Sequence, residues 1–163
     1  MTEKAIVAES LLKRYGSVTA LRDTSFAVRK GTITGFIGRN GAGKTTTLKI
    51  ASTLMPPDDG NCTVFGLDVR KDPWEIRRRI GFLPDVFTLP ATLTLREYLS
   101  VFADLYSTAR GDRSKRIAAA LQLTRAEELA DRRLQALSRG EQQRVGLARA
   151  SPRRLSARSP AAR

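Results

Sequence analysis

No histidine occurs anywhere in the 163 residues, which removes the imidazole as a proton carrier near neutral pH. The single cysteine, Cys62, excludes an internal disulfide and suits a reducing cytoplasm. No run approaches the roughly 18 consecutive apolar residues of a membrane span. The opening Met-Thr-Glu-Lys-Ala-Ile-Val-Ala-Glu-Ser lacks the apolar stretch behind a basic start that marks a signal peptide. Acidic residues are in the minority, and the net charge is +13. Residues 151–163 hold four arginines and no acid, so the first 150 carry 25 basic against 16 acidic side chains, or +9. A basic surface admits nucleic acid, anionic lipid or plain solubility, and charge alone does not choose. What is present suffices for one domain's core, with 41% hydrophobic residues at this length.

The chain is organised around Gly38-Arg39-Asn40-Gly41-Ala42-Gly43-Lys44-Thr45, which fits the phosphate-binding pattern G-x-x-x-x-G-K-[ST]. Triphosphate oxygens need many donors at close range, and backbone N–H groups reach them only where side chains do not obstruct. Gly38, Gly41 and Gly43 meet that need and tolerate positive φ. Lys44 supplies a flexible ammonium for the β- and γ-phosphates, and the Thr45 hydroxyl suits Mg²⁺. Ahead of the loop, Thr32–Ile37 reads as a short strand buried on both faces. Behind it, Lys44–Met55 places Leu48, Ala51 and Met55 at helical spacing, so the loop opens a helix whose N-terminus attracts anions.

Residues 5–14 and 24–29 read as strands around a turn at Gly16-Ser17. Pro56-Pro57-Asp58-Asp59-Gly60 breaks the chain before a short strand at 62–65, in which Cys62 is a small core residue. Asp72–Arg79 is expected to be helical with Pro73 at its first position, and Arg77-Arg78-Arg79 forms its solvated face. Trp74 beside these arginines suits surface packing, with a cation–π contact or a nucleic-acid platform as alternatives. Ile80–Leu83 is a further short-strand candidate. From residue 92 the pattern turns helical. Thr94-Leu95-Arg96-Glu97 is a capping box, followed by one apolar face of Leu95, Tyr98, Leu99, Phe102, Leu105 and Tyr106. Ser114–Leu123 is the next helix. Thr124–Glu127 reads as a second capping box, and Ser138–Glu141 as a third, opening a helix to about Ala150. Residues 151–163 are almost all Ser, Pro, Arg or Ala without periodicity, and read as disordered.

Leu137-Ser138-Arg139-Gly140-Glu141-Gln142 resembles the signature motif of ABC-type ATPases, usually Leu-Ser-Gly-Gly-Gln. Gly38–Thr46 is similar to that family's Walker A, and Tyr15–Leu21 to its A-loop region, whose aromatic residue stacks on adenine. Residues 1–150 follow the family in order and spacing. The resemblance implies an α/β fold: a P-loop NTPase core of the ABC ATPase kind with an antiparallel β subdomain and an inserted helical subdomain, incomplete after the signature helix. It implies ATP and Mg²⁺ as ligands, held by Tyr15, Gly38, Asn40, Gly41, Ala42, Gly43, Lys44, Thr45 and Thr46, with Ser138, Gly140 and Glu141 serving the nucleotide of a second such domain. It implies a homo- or heterodimer of these domains and a membrane-spanning permease subunit. The permease would touch the helices of 94–123 and the loop Pro84–Thr92. The implied location is cytoplasmic and peripheral, at the inner face of the cell membrane, with no specific nucleic acid as partner. The expected function is that of the ATP-binding component of an ABC transporter, coupling ATP binding and hydrolysis to membrane export.

Three departures from the family pattern stand out. Asp85 occupies the position where the Q-loop usually has Gln; Asp can still ligate Mg²⁺ or orient water, and Leu-Pro-Asp resembles sodium- and drug-export subunits. Arg139 replaces the signature's first Gly. After Ala150 the Walker B strand, its Asp-Glu, the D-loop and the switch His are all missing. The expected organisation is therefore a partial nucleotide-binding domain over 1–150 and a disordered, out-of-frame basic tail over 151–163. Without the Walker B Asp-Glu the chain alone is expected to hydrolyse no ATP. In the family's sheet both neighbours of the P-loop strand come from sequence after Walker B, so residues 32–37 are expected to have open edges and the chain to fold poorly. The alternatives are a non-catalytic nucleotide-binding remnant or pseudogene product, and a soluble ABC protein acting on ribosomes or nucleic acid.

Overall fold

The computed structural model describes residues 3–105 and 110–151. Tyr106 and most of the basic tail, 152–163, lie outside the described residues. The chain divides into two compact units, Met1–Arg79 and Ile80–Arg163.

The first unit is an antiparallel four-stranded sheet ordered β2-β1-β3-β4, with two helices. Strand β1 (Lys4–Tyr15) turns through Gly16-Ser17 into β2 (Val18–Arg29), and Tyr15 pairs with Val18. Both strands are longer than the sequence pattern suggested, and β1 also pairs with β3 (Asp59–Val64) along its other edge. β1 bulges at Ser10, whose φ is +48, and the N–H freed from the ladder donates to Ser25 Oγ at 2.8 Å. Gly60 sits opposite that bulge with φ +79, and a Cβ there would strike the Ser10 carbonyl. The Pro-rich breaker therefore runs straight into β3. Asp58 anchors it, accepting from Lys13 Nζ at 2.6 Å and from the Arg14 N–H at 2.7 Å; these contacts hold its carboxyl below the usual range. Strand β4 (Leu67–Asp68) closes a hairpin on β3.

Helix α1 (Lys44–Ala51) buries Thr47, Ile50 and Ala51, a spacing of three and four. The expected face differs by one position: Leu48 is exposed. Helix α2 (Pro73–Arg79) buries Ile76. Arg77 is not solvated as expected. Its Nε donates to Thr53 Oγ1 at 2.8 Å and its Nη2 to the Thr53 carbonyl at 2.7 Å, tying α2 to the end of α1. Cys62 lies in the core with Leu11, Leu21, Ile50 and Val64, and burial pushes its thiol up to about 11.

Residues 32–37 form no strand. Ile33 and Ile37 are fully exposed, while the Phe36 ring lies 5.4 Å from that of Phe26 and the Thr32 hydroxyl donates to the Arg29 carbonyl at 2.9 Å. An apolar run becomes a strand only where a neighbour takes its backbone groups, and no described residue does so. Ile80–Leu83 is likewise not a strand.

The second unit is helical. Helix α3 (Leu95–Leu105) starts in the expected capping box: the Thr94 N–H donates to Glu97 Oε2 at 2.8 Å and the Glu97 N–H to Thr94 Oγ1 at 3.2 Å. Two further first-turn donors, Leu95 and Arg96 N–H, reach the Arg132 and Ala130 carbonyls. Helix α3 buries Leu95, Tyr98, Leu99 and Ala103, whereas Leu105 is exposed. Leu95, Tyr98 and Leu99 pack with Ile117, Ala120 and Leu121 of α4 (Arg110–Leu123), with Leu129 and Leu134 from two single 3₁₀ turns, and with Val145 and Ala148 of α5 (Arg139–Ala150). Thr124–Glu127 is not a capping box. The Thr124 hydroxyl donates backwards to the Ala120 and Leu121 carbonyls, closing α4, and Arg125 turns the chain at φ +50.

Leu99 is fully buried in this cluster, so Leu99→Ala should cost about 2–5 kcal/mol. Chemical denaturation followed by helical circular dichroism measures the loss; a change under about 1 kcal/mol would mean that the cluster is not packed as described.

Candidate functional site

The glycine-rich loop lies in the first unit. Gly41 and Gly43 hold φ +80 and +82, and Gly43 directly precedes α1. A Cβ on Gly43 would lie 2.5 Å from the Ala20 carbonyl oxygen and would also strike the Leu21 side chain, so the loop is pressed onto β2 by a residue without a side chain. Helix α1 has no side-chain N-cap and no acid in its first turn. Its leading N–H groups and their partial positive charge are thus left for an external anion. Lys44 folds back over the loop, its Nζ donating to the carbonyls of Gly38 and Arg39, both at 2.6 Å. Asn40, Ala42 and Thr45 are exposed along the same loop, and Thr46 is half-buried beside them. The donor set fits a polyphosphate.

Tyr15 lies at the hairpin end. Its partner Val18 is two residues before Ala20, about 7 Å of strand from the loop's contact on β2. The Tyr15 hydroxyl approaches Met55 Sδ at 3.1 Å, and 45% of the residue remains exposed. Among the described residues no cluster of three or more Asp, Glu or Cys side chains could hold a metal. Within this unit Thr45 and the phosphates themselves would hold a Mg²⁺ ion, which usually also takes one or two carboxylates.

The second unit contains the other predicted residues. Ser138 caps α5 in a complete box: the Glu141 N–H donates to its Oγ at 3.4 Å, and its own N–H donates to Glu141 Oε2 at 2.7 Å. Arg132 Nη1 pairs with Glu141 at 2.7 Å. Gly140 is exposed, and a Cβ on it would meet nothing. Asp85 and Phe87 share a cleft of about 380 Å³ with Arg139, Gln142 and Gln143. Arg149 was not singled out by any motif. Its guanidinium sits 5.5 Å from the Phe87 ring and 5.6 Å from that of Phe102, and its Nη1 donates to Tyr98 Oη at 3.3 Å. Phe87 also lies where a Cβ on Gly146 would be, 2.7 Å from its Cζ. Arg149 thus fastens the Asp85 loop to α3 and α5, a long-range contact that no local spacing announces.

Residues 21–155 match the sequence pattern of the family described as ABC transporter. The chain belongs to that family. It is 40% identical over 146 residues to the daunorubicin resistance ATP-binding protein DrrA2 of Streptomyces coeruleorubidus, covering 88% of this chain and 45% of that protein. It is 35% identical over 140 residues to the linearmycin resistance ATP-binding protein LnrL of Bacillus subtilis, covering 86% and 45%. The chain thus spans about half the length of these curated relatives. Its fold matches the dimeric structure of MJ0796, a bacterial ABC transporter cassette, with a TM-score of 0.78 at 28% identity over 91% of this chain and 70% of that one. The expected α/β fold of an ABC ATPase is the fold observed, with only part of the domain represented. ABC transporter ATP-binding subunits bind ATP, usually with Mg²⁺.

Two outcomes follow from this geometry. Gly43→Ala should disrupt the loop, because the new Cβ meets both an unfavourable φ and the Ala20 carbonyl; loss of amide signals for residues 38–46 at unchanged far-ultraviolet dichroism would register it. Glu97 and Glu141 titrate below 4.5, the value of an unconstrained glutamate, chiefly because the backbone N–H groups of Thr94 and Ser138 donate to them. Their folded values are depressed, so their contribution is present above 4.5 and is lost as pH falls through the lowered values. Helical dichroism of the parent should therefore fall on acid titration with a component absent from Glu97→Gln/Glu141→Gln. Superimposable titrations would contradict the capping assignment.

Proposed function

We propose that this chain is the ATP-binding part of a membrane exporter, binding ATP-Mg²⁺ at the loop Gly38–Thr46. The observation that carries the reading is the uncapped N-terminus of α1 behind a loop of left-handed glycines, with the Lys44 ammonium folded over it. Lys44 would exchange its two carbonyl partners for β- and γ-phosphate oxygens, Thr45 would ligate Mg²⁺, and Tyr15 would stack on adenine. Asp85 would serve the same ion or its water. The Ser138–Glu141 helix start would take the γ-phosphate bound by a second nucleotide-binding domain, with Gly140 open for close approach and Glu141 holding the turn in shape. The dimeric cassette of similar fold supports that pairing, and the two resistance ATP-binding proteins support export.

Among the described residues no helix is long and apolar enough to cross a membrane. The chain would reach the cytoplasmic face of the membrane through a permease subunit, which would seat against the helices of 94–123 and the loop 84–92. We further propose that these 163 residues bind ATP without turning it over. They contain no histidine, and residues 151–163 contain no carboxylate to activate water; general-base help alone is worth about 10²–10⁴ in rate.

Retention on immobilised ATP with Mg²⁺ tests the site. Lys44→Ala should abolish it, and equal retention by variant and parent would remove the assignment. Tyr15→Ala should weaken binding by about 1–3 kcal/mol, by analogy with base–aromatic stacking; an unchanged affinity would return Tyr15 to a packing role. Phosphate release should stay at background, and Mg²⁺-dependent turnover abolished by Lys44→Ala would show that these residues are catalytically sufficient.

A further inference from the structure

In the segment 68–79 two of the three acids are taken up by backbone N–H groups, while Arg70, Lys71, Arg78 and Arg79 are exposed. Asp68 accepts from the backbone N–H groups of Arg70 and Lys71, and Asp72 from the N–H of Asp68. Among the described residues, Arg78 is the one of the five basic side chains that meets an acid, Glu75 at 3.0 Å. Arg70 and Arg77 donate to carbonyl and hydroxyl oxygens. Among the described residues the charged ends of Lys71 and Arg79 meet no acid, and both residues are exposed. In the midst of this charge Trp74 is 72% exposed. Arg77 lies 5.1 Å from its ring and at the same time grips Thr53, which brings the 55% exposed Leu54 to the same patch.

An indole and an isobutyl group held in water beside cations without acid partners form a surface with one apolar and one basic component. We propose that this patch docks directly on an anionic bilayer surface, with Trp74 and Leu54 entering the headgroup boundary and Lys71, Arg78 and Arg79 lying against lipid phosphates. Tryptophan suits that boundary because its body is apolar and its N–H polar. The basic side chains complement the negative potential of the cytoplasmic leaflet. A nucleic acid would use the ring and the charge, yet Leu54 offers nothing to a base stack, so the patch as a whole favours lipid. This contact is additional to any made through a permease, and it is independent of the nucleotide-site reading.

Trp74 is the only tryptophan in the chain, so its fluorescence reports on this patch and on no other, the basic tail included. The full chain is mixed with vesicles of phosphatidylcholine alone, or of phosphatidylcholine and phosphatidylglycerol in equal parts. The anionic vesicles should shift Trp74 emission to the blue, and the neutral ones should not. Brominated phosphatidylcholine in the anionic mixture should quench the emission, a readout that needs no variant. Lys71→Glu/Arg79→Glu should lower the partition by about fivefold or more per side chain with unchanged circular dichroism. Unshifted and unquenched emission with anionic vesicles would overturn the proposal, as would equal partition of the variant. A blue shift with duplex DNA at lower concentration than with lipid would assign the patch to nucleic acid instead.

Discussion

Gly43 is held at φ +82 with the Ala20 carbonyl and the Leu21 side chain where any Cβ would have to go, and α1 begins at the next residue. Much of the first unit's functional geometry hangs on that contact. It fixes where the helix starts, and hence where its unpaired N–H groups collect. The Thr47 N–H and Oγ1 both return to the Gly43 carbonyl, at 2.8 and 3.0 Å, so the first turn is drawn tight on the glycine. The same contact lies on the strand that begins opposite Tyr15, and the backbone bonds of the β1–β2 ladder relate the aromatic ring to the loop without any side chain between them. A buried, uncapped helix end would be costly; an exposed one is a standing preference for anions.

The helical unit is specified differently, by many short-range devices instead of one close contact. Two capping boxes start α3 and α5, and the segment 130–134 runs back along 93–96, satisfying donors that α3 leaves open. Exposed ion pairs such as Arg96–Asp131 and Arg144–Glu128 decorate the outside. Pairs of this kind are worth little individually, and the packed cluster around Leu99 and Val145 outweighs them. The fastening of Phe87 by Arg149 shows how a loop can be attached to such a unit by a cation between two rings, with no acid involved.

What the sequence made legible was whatever is decided within four residues. The loop motif, both true capping boxes, Pro73 at the first turn of α2 and the Gly16-Ser17 hairpin all belong to that class. Thr124–Glu127 has the letters of a capping box but follows a helix that ends there, and the hydroxyl caps the carbonyls behind it. Arg77 looked solvated because nothing local reveals Thr53 at the end of α1. Residues 32–37 and 80–83 have strand composition, but strand formation is a property of pairs, and their state depends on neighbours outside the window. For the candidate site, residue types and order were readable while mutual placement was not: the press of Gly43 on β2 and the Asp85–Arg139 cleft are tertiary facts.

The central claim is that the first unit binds nucleotide through backbone donors at the start of α1. The most direct measurement is a map of backbone amide shifts in the isotopically labelled chain on titration with ATP and Mg²⁺. The account predicts that the largest changes fall on the amides of Gly41, Gly43, Lys44, Thr45 and Thr46, with smaller ones at Tyr15. Saturable changes confined to other residues, with these amides unmoved, would contradict it.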